Sequence, residues 1–236
     1  MKVDLHTHSL ASGHAYNTIL EIAKDAADKN LEAVAITDHG PALGFVQYPN
    51  YFHVLRRIPD ELFGVRILKG CEANILDTEG TIDIGEKVQR RLDLVIAGLH
   101  VIPGFPRDLG PEGNTAALVK AIDKNRIHII SHPFRPGFPV NIKKLFSACQ
   151  ARHVLLEINL SVLRDELDNE MVVANTKELV DLALENKAKL VINSDAHFIS
   201  EVADDSILKE LSFKVPPEIV LGVGGYEEVA EFLADK

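Results

Sequence analysis

Short apolar runs recur along this chain at a near-constant interval, and each is closed by a polar residue able to bind a metal. The runs are Val3–Leu5, Ala33–Thr37, Val65–Leu68, Leu92–Ala97, Ile127–Ile130, Val154–Ile158 and Leu190–Ile192. They are largely continuous rather than alternating, which is how parallel strands covered on both faces read. Between them the apolar period changes. Thr18-Ile19-Leu20-Glu21 has capping-box spacing, and Ile19, Ile22, Ala23, Ala26 and Ala27 then recur at helical intervals, predicting a helix over residues 18–29. Further helices are predicted over Asn114–Asn125, Ile142–Arg152, Glu170–Asn186, Glu201–Leu211 and Tyr226–Leu233, with a short one between Pro49 and Leu55.

Alternating strands and helices predict βα repeats. The strand-closing residues His6, His39, Glu72, His100 and His132 are 28 to 33 residues apart, and Asp195 follows His132 by 63, close to two repeats. The intervening repeat ends in Glu157-Ile158-Asn159-Leu160. Seven strands result, and a seven-unit parallel βα barrel is the predicted fold. The 236 residues show no linker-like change of composition, so one domain over 1–236 is expected. In such barrels the chemistry sits at the C-terminal ends of the strands, where these residues fall. Two Gly- and Pro-rich loops, Gly40–Asn50 and Val101–Gly113, leave that end and are candidate lids or substrate contacts.

Seven of the ten histidines lie at these strand ends: His6, His8, His14, His39, His100, His132 and His197. His6-Thr7-His8 on a strand places both imidazoles on one face, because side chains alternate with period two. With Glu72 and Asp195 the set has nine members, more than the roughly four to six ligands of one ion. Either several ions share them or some members support others. Imidazole and carboxylate without thiolate suit zinc, manganese or iron. Glu72 is the one marker carboxylate of the first six strands and is assigned as a bridge between ions. Clustered divalent ions lower the pKa of a bridging water, bind anionic oxygens and stabilise charge on a leaving group, which is the chemistry of hydrolysis.

Other residues change the picture less. Arg135, in His-Pro-Phe-Arg-Pro, and Arg107 are candidate clamps for an anionic group. Asp38 fits either an orienting partner of a ligand or a cap. Asn159 fits a contact to substrate or water, with Glu157 on the same face but deeper. His53, His128 and His153 read as structural or exposed, Cys71 and Cys149 as core residues, and Gly222-Val223-Gly224-Gly225 as a turn. The net charge of −10 disfavours nucleic acid and anionic membranes. Bound divalent ions would concentrate positive charge in one cleft, favouring small anionic substrates. No apolar run approaches the roughly 18–20 residues of a membrane span. The start of the chain lacks the pattern of a signal peptide, and two cysteines without C-x-x-C spacing fit a reducing cytoplasm.

Asp4-Leu5-His6-Thr7-His8, Ala35-Ile36-Thr37-Asp38-His39-Gly40, Gly70-Cys71-Glu72, His100, Ser131-His132-Pro133 and Asn193-Ser194-Asp195-Ala196-His197 resemble the PHP (polymerase and histidinol phosphatase) family of metallohydrolases. The resemblance spans residues 3 to 197, and Ser12-Gly13-His14 with Thr37–Pro41 is most similar to its small stand-alone phosphatase branch. It implies a distorted seven-stranded parallel TIM-like (β/α)7 barrel and three divalent metal ions, most often Zn2+, with Mn2+ or Fe2+ as alternatives. It implies that His6, His8, Glu72 and Asp195 hold one ion, that Glu72, His100 and His132 hold a second, and that His14, His39 and His197 hold a third. A hydroxide bridging the first two would attack a small phosphomonoester, with Glu72, Asp195 and Arg135 as catalytic residues. Other metal-assisted hydrolysis, of a phosphodiester, amide or lactone, is the alternative, and a metal-dependent binding domain a third reading. A homo-oligomer is left open.

Overall fold

A computed structural model describes residues 1–44, 50–105 and 109–235. Arg107 and Pro49 lie outside the described residues, as do parts of both Gly- and Pro-rich loops. The strands are β1 (Val3–Thr7), β2 (Ala33–Ile36), β3 (Glu61–Leu62), β4 (Val65–Asn74), β5 (Leu94–Gly98), β6 (Ile129–Ile130), β7 (Leu155–Asn159) and β8 (Val191–Asn193). Seven of them form one parallel series in the order β1-β2-β4-β5-β6-β7-β8, while β3 is a short antiparallel addition to β4. The two ends of the series meet without a full ladder. A single Thr7–Ala196 bridge, His8 N–H donating to Ala196 O at 2.9 Å, and Leu5 N–H donating to the Asn193 Oδ1 at 2.9 Å hold β1 against β8. The result is the nearly closed, distorted seven-stranded barrel that the sequence predicts.

The helices are α1 (Ile19–Asp28), α2 (Tyr51–Val54), α3 (Glu86–Gln89), α4 (Gly110–Lys124), α5 (Ile142–Ala151), α6 (Leu160–Asp165), α7 (Glu170–Asn186) and α8 (Tyr226–Ala234). The predicted capping box opens α1: the Thr18 hydroxyl accepts from Glu21 N–H at 3.2 Å, and Glu21 Oε2 accepts from Thr18 N–H at 2.7 Å. The helix expected over Glu201–Leu211 is absent. Only 3-10 turns at Ile199–Glu201 and Ser206–Lys209 form there. Two local bonds explain the break: Ala203, with φ of 52°, gives its N–H to buried Asp4 at 2.9 Å, and Asp204 accepts from Ser206 N–H at 3.1 Å. Short polar side chains of this kind compete with the helix for backbone groups.

Along the inner face, each strand is apolar at its start and polar at its end. Val3, Leu5, Ala33, Ala35, Leu68, Leu94, Ile96, Ile129, Leu155 and Val191 form one buried cluster, closed by Val229 of α8. The opposite parity, including Val95, Ala97, Leu156 and Ile158, packs outward with the larger core around the helices. Period two then carries Thr37, His39, Glu72, His100, Glu157, Asn159, Asn193 and Asp195 into the upper interior. β1 needs a correction to simple alternation. Its register against β2 shifts between Asp4 and Thr7, and the bulge lets Leu5 serve the apolar floor while His6 and His8 reach the polar layer.

Candidate metal centre

At the C-terminal end of the barrel the polar layer gathers around one buried carboxylate. Glu72 Oε1 lies 2.8 Å from His132 Nε2 and 3.2 Å from His100 Nε2, and accepts from the Ser131 hydroxyl at 2.8 Å. Its Oε2 lies 2.8 Å from His39 Nδ1, 3.3 Å from His6 Nε2 and 3.5 Å from His8 Nε2. Imidazoles from four strand ends therefore converge on it. Asp195 Oδ1 completes the group at 3.0 Å from His8 Nε2 and 3.3 Å from His6 Nε2.

Three pairs of imidazole nitrogens face each other: His6 and His8 at 3.0 Å, His100 and His132 at 3.0 Å, and His14 and His197 at 2.8 Å, all through Nε2. The far side of several rings fixes what the facing atoms are. His6 Nδ1 donates to Glu157 Oε1 at 2.8 Å, and His197 Nδ1 donates to Asp195 O at 2.9 Å. His8 Nδ1 lies 2.9 Å from the Ser12 hydroxyl, whose own hydrogen goes to Asp38 Oδ1 at 2.6 Å, so the ring is the donor. In the neutral tautomers assigned by these bonds, Nε2 of His6, His8 and His197 is a lone pair. Lone pairs facing at 3 Å repel unless a cation lies near both. Two nitrogens on one zinc, about 2.0–2.1 Å from it at tetrahedral angles, stand about 3.3 Å apart.

Without a cation one ring takes a proton instead. Burial opposes charge on His6, yet Asp195, Glu157 and Glu72 overcome it and raise its pKa well above the ordinary value. Burial and His39 push His8 well below, and burial takes His100 down to about 4. Burial works against ionised Glu72 and Asp195, but the histidines, His6 foremost, hold both well below the usual carboxylate range. Buried atoms of His39 (Nδ1), Glu72 (Oε2), His100 (Nδ1) and Asp195 (Oδ1) make no hydrogen bond, although His39 Nδ1 and Glu72 Oε2 are within 2.8 Å. Buried polar atoms left without a hydrogen bond are uncommon and call for an explanation. Of these atoms, His39 Nδ1, Glu72 Oε2 and Asp195 Oδ1 face the shared layer and fit divalent cations, whereas His100 turns Nε2, not Nδ1, toward Glu72.

All nine sequence-predicted ligands reach this layer. Ligand atoms within 4.8 Å of one another fall into His6–His8–Glu72–Asp195, His39–Glu72–His100 and His8–His39–His197. His39 thus closes on Glu72 as well as on His197, while His14 meets the group through His197. Tyr51 OH, Ser9 and Ser12 all donate to Asp38, which holds His8 through Ser12. The Asn159 amide is committed to Glu157 Oε2 at 2.8 Å and Asp195 Oδ2 at 3.1 Å. Of the remaining histidines, His128 accepts from Val95 N–H at 3.0 Å, His53 contacts Arg91 and His153 is exposed.

A cleft of about 400 Å³ opens over the layer, with His14, His132, Arg135, Asp195, His197 and Arg164 among its walls. Arg164, on α6, escaped the sequence reading because it belongs to no strand end. Gly98 sets the approach of two rings. A Cβ there would stand 2.4 Å from Ser131 Oγ and 2.7 Å from His132 Cε1. Gly98→Ala is therefore expected to destabilise the protein by about 1–3 kcal/mol through overpacking. Thermal melting of the metal-free protein checks this, because both contacts are already present without an ion.

The PHP domain profile matches residues 4–198. A probable phosphatase of Acetivibrio thermocellus is 38% identical over 236 residues, covering 99% of this chain and 95% of the relative. A probable phosphatase of Caldanaerobacter subterraneus subsp. tengcongensis is 37% identical, covering 99% and 91%. Among solved structures, histidinol phosphate phosphatase of Lactococcus lactis, complexed with zinc, L-histidinol and phosphate, superposes with a TM-score of 0.56 at 15% identity, covering 90% of this chain and 94% of that one. A chain of archaeal ribonuclease P with mature tRNA reaches 0.62 at 12% identity, covering 99% and 90%, so the barrel shape is shared by proteins of different roles. Profile and relatives span the strand ends that build the metal centre, and the chain belongs to the PHP domain family.

Proposed function

We propose that this protein is a metal-dependent phosphatase that cleaves small phosphomonoesters, working as one metallohydrolase domain over residues 1–236. The observation that carries the reading is the ring of unpaired imidazole and carboxylate donors around Glu72. The relatives named probable phosphatase support the choice of reaction. His6, His8, Glu72, Asp195, His100, His132, His39, His14 and His197 are the donors for three divalent ions, with Zn2+ the choice that nitrogen-rich donors favour. Bound there, such ions make hydroxide available near neutral pH and neutralise charge growing on the phosphoryl oxygens.

The protein's own residues do the rest. Glu72 and Asp195, kept ionised, draw cations into a buried layer. Glu157, Ser12 and the Asp195 carbonyl hold three rings in one tautomer each. Arg135, at the cleft wall, faces the solvent side where a phosphoryl group would enter and supplies a fixed positive charge. No helix among the described residues is long and apolar enough to cross a membrane. Cys71 and Cys149 are both buried, and two cysteines without C-x-x-C spacing are the ground for a cytoplasmic setting.

Zinc-loaded protein is expected to hydrolyse an aryl phosphate and some phosphorylated metabolites. No turnover over a broad phosphoester panel, with metals confirmed by elemental analysis, rejects the reading. Faster cleavage of a neutral amide than of any phosphate favours the alternative hydrolase. Arg135→Ala should raise KM about tenfold with kcat little changed, the loss of about 1.5 kcal/mol typical of a charge-assisted hydrogen bond.

A further inference from the structure

We infer that Glu157, which lies outside the nine donors, is a positioning residue that couples the first and second ion sites through one buried carboxylate. The inference rests on the metal-dependent reading above. Glu157 is fully enclosed in the middle of β7, one layer below Asn159, and each of its oxygens accepts two hydrogen bonds. Oε1 takes His6 Nδ1–H at 2.8 Å and Asn193 Nδ2–H at 2.7 Å. Oε2 takes the backbone N–H of His132 at 2.8 Å and Asn159 Nδ2–H at 2.8 Å. His6 belongs to the first group of donors and His132 to the second. One oxygen thus sets a ring and the other sets a backbone.

Both holds bear on geometry that would otherwise relax. His132 has φ of 28°, a left-handed conformation that a residue with a Cβ adopts only when its surroundings fix it. Asp195 has φ of 54° and receives its support from Asn159, itself anchored on Glu157. On the other side, an acceptor at His6 Nδ1 keeps the hydrogen there and leaves Nε2 unprotonated toward the ions. β7 contributes no ligand of its own. It contributes the strut that both ligand sets lean on.

Four donors meet two oxygens, and three of the four cannot reverse. The Asn193 amide is locked because its Oδ1 accepts from Leu5 N–H at 2.9 Å, and the Asn159 amide because its Oδ1 accepts from Val162 N–H at 2.8 Å. The His132 donor is backbone. Glu157→Gln replaces one acceptor by an NH2 in either orientation. Facing His6, that NH2 demands an acceptor at Nδ1 and moves the hydrogen to Nε2, spoiling a ligand. Facing His132, it opposes an N–H that cannot turn.

Zinc titrated into metal-stripped protein, followed by calorimetry and by elemental analysis after desalting, tests the coupling. His14→Ala identifies the step that belongs to the outermost ion. In Glu157→Gln two of the ions should bind about ten- to a hundredfold more weakly while the outermost keeps its affinity. Metal-free Glu157→Gln should retain the far-ultraviolet circular dichroism of the wild type. Unchanged affinity for every ion, or an equal loss for all of them, overturns the inference. Should Glu157→Gln not fold, Glu157→Asp decides: it keeps both acceptor oxygens with a shorter reach, and the same two ions should weaken, less severely, with the third unaffected. A loss shared by all ions, or by none, again overturns it. Wild-type protein that takes up ions yet hydrolyses no phosphate ester would sink the assigned reaction while leaving this titration able to decide the coupling.

Discussion

Glu72→Gln is expected to lower kcat/KM on an aryl phosphate by on the order of 10³–10⁴, at about 1.4 kcal/mol per decade, because several kcal/mol of charge stabilisation by the ions depend on it. Glu72 contacts His132, His100, His39, His6 and His8 through its two oxygens, so it ties imidazoles of four strand ends together. Glutamine keeps the shape and removes the charge. Its NH2 also directs hydrogens at imidazole nitrogens that need to remain lone pairs toward a cation. Two measurements separate this from misfolding. Elemental analysis should show ions lost. Thermal melting of the metal-free variant should remain a single cooperative transition, with its midpoint lowered by loss of the buried carboxylate that pairs with His6. Activity within about tenfold of wild type at full metal load would show that the bridge is not where the chemistry depends.

Much of this centre is legible in the sequence because a parallel βα barrel maps order along the chain onto a ring in space. A strand end every 28 to 33 residues is one position per repeat on that ring, so His6, His39, Glu72, His100 and His132 are forced together once the fold is granted. What resisted reading depends on contacts between repeats. The bulge in β1 that frees Leu5 from the parity of His6 is set by pairing with β2, not by residues 3–7 alone. The helix expected over Glu201–Leu211 yields to a buried Asp4 some two hundred residues away, which captures Ala203 N–H. Glu157 was visible as a polar residue deep on the right face. Its partners, an imidazole from β1 and a backbone group after β6, come from distant parts of the chain, and no local spacing announces them. His39 was read with His14 and His197, and its approach to Glu72 follows from the His39–Glu72 bridge between β2 and β4.

Metal removal should be the second large effect: chelation is expected to lower the thermal midpoint by about 10 °C or more and to abolish turnover, with both restored by zinc. The metal-free layer is short of positive charge. Glu72 and Asp195 stay ionised while buried, yet His8 and His100 are driven by burial toward their neutral forms, leaving the raised pKa of His6 as the local source of a compensating proton. Enclosed charge that is not fully paired costs several kcal/mol. Ions that bind the folded chain return that energy through mass action, about 4 kcal/mol for one site at a thousand times its Kd. At about 2–4 °C per kcal/mol for a chain of this length, one tightly held ion already accounts for roughly 8–16 °C. Glu72→Gln supplies the internal comparison, because a site that no longer gathers ions has little left for a chelator to remove and its midpoint should hardly move. Identical melting of wild type in chelator and in zinc would mean that these donors, however close in space, hold nothing that stabilises the fold.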